Sequence, residues 1–197
     1  MNYRTKTIRK EATHMKSTNR IAALFLGFVT ALATAGPAMA QTATALPRVR
    51  VLATGGTIAG AQASSTDYGY KSGAYDVNTL INAVPNLGKL AQISGEQVAS
   101  IGSQDMNDEV WLKLAKRLNA VLASADTDAV LITHGTDTLE ETSYFLSLVT
   151  RSDKPVVMVG SMRPATATSA DGPANIYNGV AVAVSPKAKG RGTVVAL

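Results

Sequence analysis

The sequence has no cysteine, so no disulfide and no thiolate metal site can staple the chain, and its stability must come from buried apolar surface. Histidine is nearly missing as well: only His14 and His134 occur, and neither has a partner at metal-ligand spacing. The phosphate-binding pattern G-x-x-x-x-G-K-[ST] is absent and the G-x-G-x-x-G spacing is not met, which weakens a nucleotide-cradling reading of Gly55-Gly56. A basic face is also lacking, despite a formal charge of +5. Six of the 19 basic residues (Arg4, Lys6, Arg9, Lys10, Lys16, Arg20) but only one of the 14 acids, Glu11, fall in residues 1–40, leaving 13 of each beyond. No nucleic-acid footprint persists past that leader.

The leader has three parts: the basic region, an apolar stretch from Ile21 to about Leu32, and Ala38-Met39-Ala40 as a small-x-small cleavage site. The apolar stretch is shorter than the roughly 20 residues that span a bilayer, and Gly36-Pro37 ends it. Residues 1–40 are therefore read as a signal peptide, with Met15 as an alternative start, and residues 41–197 as one domain, periplasmic or secreted and free of the membrane after cleavage.

Beyond a Thr/Ala tether at Gln41–Pro47, apolar runs alternate with helical patterns. Strands are predicted at Arg48–Ala53, Leu90–Ser94, Glu96–Ile101, Asp128–Thr133, Pro155–Val159 and from Thr193. Helices are predicted from Asp76 to Val84, from Asn107 or Asp108 to about Leu122, from Leu139 to Thr150 and from Ala174 to Val184. Residues Ala61–Gly73 have no apolar period and read as a mobile loop. Nearly continuous apolar strands between helices indicate an α/β fold with a mostly parallel sheet covered on both faces. Ligands of such sheets bind beyond the carboxyl ends of the strands.

Those ends are where the polar residues fall. V-L-A-T-G-G-T at Val51–Thr57 and V-L-I-T-H-G-T at Val130–Thr136 agree at five of seven positions. With Ser103 and Ser161, four strand ends are expected to deliver four hydroxyls to one edge of the sheet, each preceded by glycine. Loop composition alone explains any single one; four together point to a site. Glycine-freed amides and one carboxylate, Asp137, suit a small zwitterion. A threonine hydroxyl near a base, with amide donors for the oxyanion at roughly 2.7 to 4 kcal/mol each, suits acyl transfer from an amino-acid amide. The rival class is an amino-acid binding protein without catalysis, which has no need of threonines paired after glycines. His134 reads as structural and Trp111 as core.

These residues carry a resemblance. The chain resembles the periplasmic type II L-asparaginases, through T-G-G-T-I-A-G at Thr54–Gly60 and H-G-T-D-T at His134–Thr138. G-S-Q-D-M-N-D at Gly102–Asp108, E-E-T at Glu140–Thr142, K-P-V-V-M-V-G at Lys154–Gly160, M-R-P at Met162–Pro164 and S-A-D-G-P at Ser169–Pro173 extend it over nearly all of residues 41–197. It implies a Rossmann-like N-terminal domain and hydrolysis of L-asparagine to L-aspartate and ammonia without a cofactor or metal, with L-glutamine as the alternative substrate. It further implies Thr57 as nucleophile with Tyr70 as its hydroxyl partner, Tyr68 being the competing match, and Thr136 with Asp137 as the second catalytic pair. Gly56, Ser103, Gln104, Gly135, Thr136 and Asp137 correspond to substrate-binding positions, with Asp137 on the substrate ammonium.

The family pattern also includes a lysine beyond the strand that starts at Thr193, a smaller C-terminal domain and a homotetramer with shared sites. This chain is accordingly expected to be the N-terminal part of a longer protein, and residues 41–197 alone to be inactive or nearly so. The exported protein is expected to begin at Gln41; intact-mass measurement of secreted material checks this, and a retained leader would overturn it.

Overall fold

The computed structural model describes residues 45–197, so the signal segment and its cleavage site lie outside the described residues. β1 (Arg48–Gly55) is buried from Val51 onward. It is flanked by β4 (Gln92–Ile101) on one side and β5 (Ala129–Thr133) on the other, and β6 (Val156–Val159) and β7 (Thr193–Val195) follow outward from β5. All four pairings in this five-stranded sheet are parallel. The chain leaves β1 toward one edge, then crosses back to place β5 on β1's other side. The topological switch point therefore lies between β1 and β5, where open α/β sheets hold ligands.

Strand alternation sorts the core into two layers. Val49, Val51, Ala53, Leu131, Val157 and Val159 face α1 (Val77–Asn82) and α4 (Gly172–Ala183). Leu52, Val130, Ile132, Val156 and Met158 face α2 (Asp108–Ala123) and α3 (Leu139–Val149). The expected fold class is the one observed. Caps explain where two helices start: the Asp76 side chain accepts the Thr79 N–H at 2.7 Å, and that of Asn107 accepts the Val110 N–H at 3.1 Å. Among the described residues no helix is long and apolar enough to cross a membrane.

Two expectations are corrected. The segments either side of Gly95 form one continuous strand, because glycine there is a packing requirement: a Cβ would lie 2.7 Å from Val77 Cγ2 and 2.8 Å from Ile81 Cδ1. The supposedly irregular stretch Ala61–Gly73 contains a short antiparallel ladder, β2 (Ala61–Gln62) with β3 (Tyr70–Lys71), in which Gln62 faces Tyr70. Two residues per strand are too few to leave a period in the sequence.

Helix α4 lies so close to the sheet that a Cβ on Gly179 would sit 2.5 Å from Val159 Cγ1 and 2.7 Å from Leu131 Cδ1. Overpacking costs about 1 to 3 kcal/mol, more than the few tenths that valine gains over glycine in helix propensity. Gly179→Val is therefore expected to lower the unfolding free energy by that net amount, read as a lower urea midpoint at an unchanged m value; an unchanged midpoint would show that the layer can yield.

Candidate active site

The turns that leave β1 and β5 touch through bare backbone. Gly55 and Gly56 have φ of 107° and 78°, a region favouring glycine, and a Cβ on Gly56 would fall on the backbone N and Cα of Gly135. A Cβ on Gly135 would in turn meet Ser103 Oγ at 2.5 Å. Three strand ends thus converge, those of β1 and β5 through backbone alone and that of β4 through the Ser103 side chain. The Gly56 N–H, one of the glycine-freed amides expected to face a ligand, is instead spent on the Ile101 carbonyl at 2.7 Å, and the Gly56 carbonyl accepts from Gly73 N–H at 3.1 Å.

Ser103 then sews the end of β4 to the turn after β5. Its hydroxyl donates to Asp137 Oδ2 at 3.0 Å and accepts from the Asp137 N–H at 3.1 Å, while Thr138 Oγ1 donates to the Ser103 carbonyl at 2.9 Å. Asp137 is exposed beside this buried serine, and Thr136 is half-buried with its methyl toward Gly160. Gln104 is exposed and folds its amide back over Gly102, filling the place a Cβ would take.

Thr57 opens a single 3-10 turn, Thr57–Ala59, directly after the Gly56 contact. Its Oγ1 lies 2.7 Å from the hydroxyl of Tyr70. Tyr68 is fully exposed, so of the two candidate tyrosines the one that meets Thr57 is Tyr70, itself 43% exposed. Gly60 makes room for it: a Cβ there would lie 2.8 Å from Tyr70 Cδ2. The structure therefore brings together Gly56, Gly135, Ser103 and Asp137 across three strand ends, and pairs Thr57 with Tyr70 on the turn after β1.

Ser161 does not join them. It is buried and donates to the Arg163 carbonyl at 2.7 Å, so its hydroxyl turns away from the Ser103–Asp137 cluster. The turn after β6 is shaped instead by Asp171, whose carboxylate accepts the Met162 and Arg163 N–H groups at 2.9 Å each. Burial pushes this carboxyl up, but the backbone donors outweigh it and leave Asp171 below the usual range. Thr54 and Thr133, the first threonines of the two related strand ends, are buried; Thr54 Oγ1 donates to the Thr133 carbonyl at 3.0 Å and locks β1 to β5.

His134 is fully buried and structural. Its Nδ1–H donates to the Gly135 carbonyl at 2.7 Å, Thr142 Oγ1 lies 3.1 Å from Nε2, and the Trp111 indole N–H donates to that hydroxyl at 2.8 Å. A run of bonds of one polarity therefore ends on the carbonyl of the Gly135 turn. Trp111 and Thr142 were not legible as members, since both fit amphipathic helix faces; only the coincidence of a buried histidine with polar groups on two helices marks them. Among the described residues no group of three histidines and carboxylates could hold a metal. A hollow of about 720 Å³ beside α4, with Lys187 and Arg191 on its wall, contains none of these residues.

The family model described as "Asparaginase, N-terminal" matches residues 48–197. The chain is similar to the L-asparaginase 2 of Bacillus subtilis (strain 168), 59% identical over 153 residues, covering 77% of this chain and 41% of that protein. It is similar also to a probable periplasmic L-asparaginase of Haemophilus influenzae, 59% identical over 152 residues (77% and 43% covered), and to a glutaminase-asparaginase of Pseudomonas fluorescens biotype A, 51% identical over 158 (80% and 44%). The crystal structure of a probable cytoplasmic L-asparaginase from Campylobacter jejuni matches with a TM-score of 0.74 at 55% identity, covering 77% of this chain and 46% of that one. The chain thus spans less than half the length of these relatives.

Burial holds His134 below its ordinary value of 6.5, outweighing the opposing effects of the Gly135 carbonyl and Glu141. The folded state then binds fewer protons than the unfolded one, so stability is full above about pH 6.5 and falls as pH drops through and below it. The urea midpoint is expected to fall between pH 7.5 and 5.5, above the range in which carboxylates titrate, and His134→Gln to flatten that slope. An equal slope in the variant would place its origin elsewhere.

Proposed function

The chain belongs to the asparaginase family, matched over that family's N-terminal domain, and from that premise we propose that it carries the nucleophile of an amidohydrolase converting L-asparagine to L-aspartate and ammonia. The observation that carries the reading is the 2.7 Å contact between Thr57 Oγ1 and the Tyr70 hydroxyl, set beside the Gly56–Gly135–Ser103–Asp137 convergence. Thr57 Oγ1 attacks the side-chain amide carbon and passes its proton toward the Tyr70 oxygen. The C–N bond breaks, ammonia leaves with that proton, and an acyl ester on Thr57 remains. Water then cleaves the ester, giving L-aspartate and restoring the hydroxyl, with Thr136 as the group that positions the water.

Asp137 takes the substrate ammonium, a role that suits an exposed carboxylate with one oxygen held by Ser103. Gln104, Gly56 and Gly135 border the same ground. L-Glutamine is the second substrate: relatives named glutaminase-asparaginase are about half identical to this chain, and one methylene changes binding by only about 1 to 3 kcal/mol. The reading extends to residues 41–197 as the N-terminal domain of a homotetramer exported to the periplasm. The leader composition and a relative named periplasmic support export.

Thr57→Ala, in the protein made from its complete coding sequence, is expected to slow ammonia release from L-asparagine by about 10⁴-fold or more while L-aspartate binding changes little. Retained turnover would remove Thr57 as nucleophile. Amino-acid binding without turnover in the unsubstituted protein would identify a binding protein instead.

A further inference from the structure

Tyr70 lies outside the buried core, with its ring resting on Gly60. Residues 63–71 are all exposed, and the ladder that carries Tyr70 is two residues per strand, a hairpin too short to be stable by itself. What fixes it is polar and comes from a distant part of the chain. Thr166, in the turn after β6, accepts the Gln62 N–H on its hydroxyl oxygen at 2.9 Å and donates the hydroxyl proton to Gln62 Oε1 at 3.0 Å. Next to this pair the Ala165 N–H donates to the Gly60 carbonyl at 2.9 Å. The other end of the Gln62 amide donates to the Asp67 carbonyl and so closes the hairpin loop on itself.

Gln62 is the residue that faces Tyr70 across the ladder, so whatever fixes Gln62 fixes the backbone from which the Tyr70 hydroxyl reaches Thr57. The turn that supplies Thr166 is itself held down by the Asp171 carboxylate on Met162 and Arg163 and by Asn175 Nδ2 on the Gly160 carbonyl at 3.0 Å. We propose that Thr166 and Gln62 are positioning residues: their reciprocal hydrogen bonds dock the Tyr70 hairpin on the turn after β6 and set the Thr57–Tyr70 distance. The proposal rests on the reading of Thr57 as nucleophile for its catalytic consequence, though not for its structural one.

Thr166→Val keeps the shape and removes both hydroxyl bonds; Thr166→Ser keeps the hydroxyl. Hydrogen exchange of the amides of residues 61–71 is expected to speed by roughly tenfold in Thr166→Val, with α2, α3 and β5 unchanged, and to return to the original rate in Thr166→Ser. In the protein made from its complete coding sequence, kcat for L-asparagine is expected to fall by about the same factor with KM nearly constant, since Ser103 and Asp137 are untouched, and Thr166→Ser restores it. Unchanged exchange in Thr166→Val, or a serine variant as impaired as the valine one, overturns the proposal. Turnover that is absent in the unsubstituted protein while exchange responds as described overturns the hydrolase reading and leaves the docking intact; exchange that responds while kcat does not overturns the positioning role.

Discussion

The contact between Gly56 and Gly135 sets the distance on which the rest of the site depends. Any side chain at either position would force the turns after β1 and β5 apart, since a Cβ on one would occupy backbone of the other and a Cβ on the second would strike Ser103. With the turns in contact, the polar groups that follow each glycine are delivered to neighbouring points on the carboxyl edge of the sheet. The parallel register supplies the matching condition: Ala53 pairs with Thr133 and Thr133 with Val159, so adjacent strands reach that edge at the same level. The two core layers keep the register, because a slip of one residue would turn every buried side chain to the wrong face.

Around that contact the molecule divides into groups that are committed and groups that are exposed. Ser103, Thr54, Ser161, Asp171 and His134 each spend their polar atoms on specific backbone or side-chain partners, and four of these five are buried. They make the floor of the site stiff. Asp137 and Tyr70 stand exposed on that floor, and Tyr70 is mounted on a short hairpin that the Gln62–Thr166 hydrogen bonds tie to the turn after β6. A rigid floor with one less firmly held hydroxyl concentrates the low local stability of this edge in residues 61–71.

Most of the architecture was legible because each strand and helix has its own apolar period and its own punctuation. Val130–Ile132 reads as a buried strand, Asn107 or Asp108 as a cap, of which Asn107 is the one used, and the related endings at Thr57 and Thr136 as turns at the carboxyl edge of the sheet. Where the reading failed, the reason was tertiary. Gly95 looks like a break, yet it sits mid-strand because helix α1 packs against it. Ser161 follows a strand and a glycine as Ser103 does, but its hydroxyl turns inward to the Arg163 carbonyl, and no local pattern distinguishes the two. The Gly56 amide was expected to face a ligand and is taken up by Ile101, a residue 45 positions away in the sequence whose approach only the sheet order determines. Thr142 and Trp111 were hidden by ordinary helix amphipathicity.

The run from the Trp111 indole through Thr142 and His134 to the Gly135 carbonyl has one more consequence, because the chain contains a single tryptophan. Its emission reports one location, and that location is bonded in sequence to the turn bearing Thr136 and Asp137. Ultraviolet fluorescence therefore observes the site from behind without any added dye. A ligand that tightens the Gly135 turn or a proton that enters the imidazole alters the polarity at the indole nitrogen, and the colour of the light changes with it.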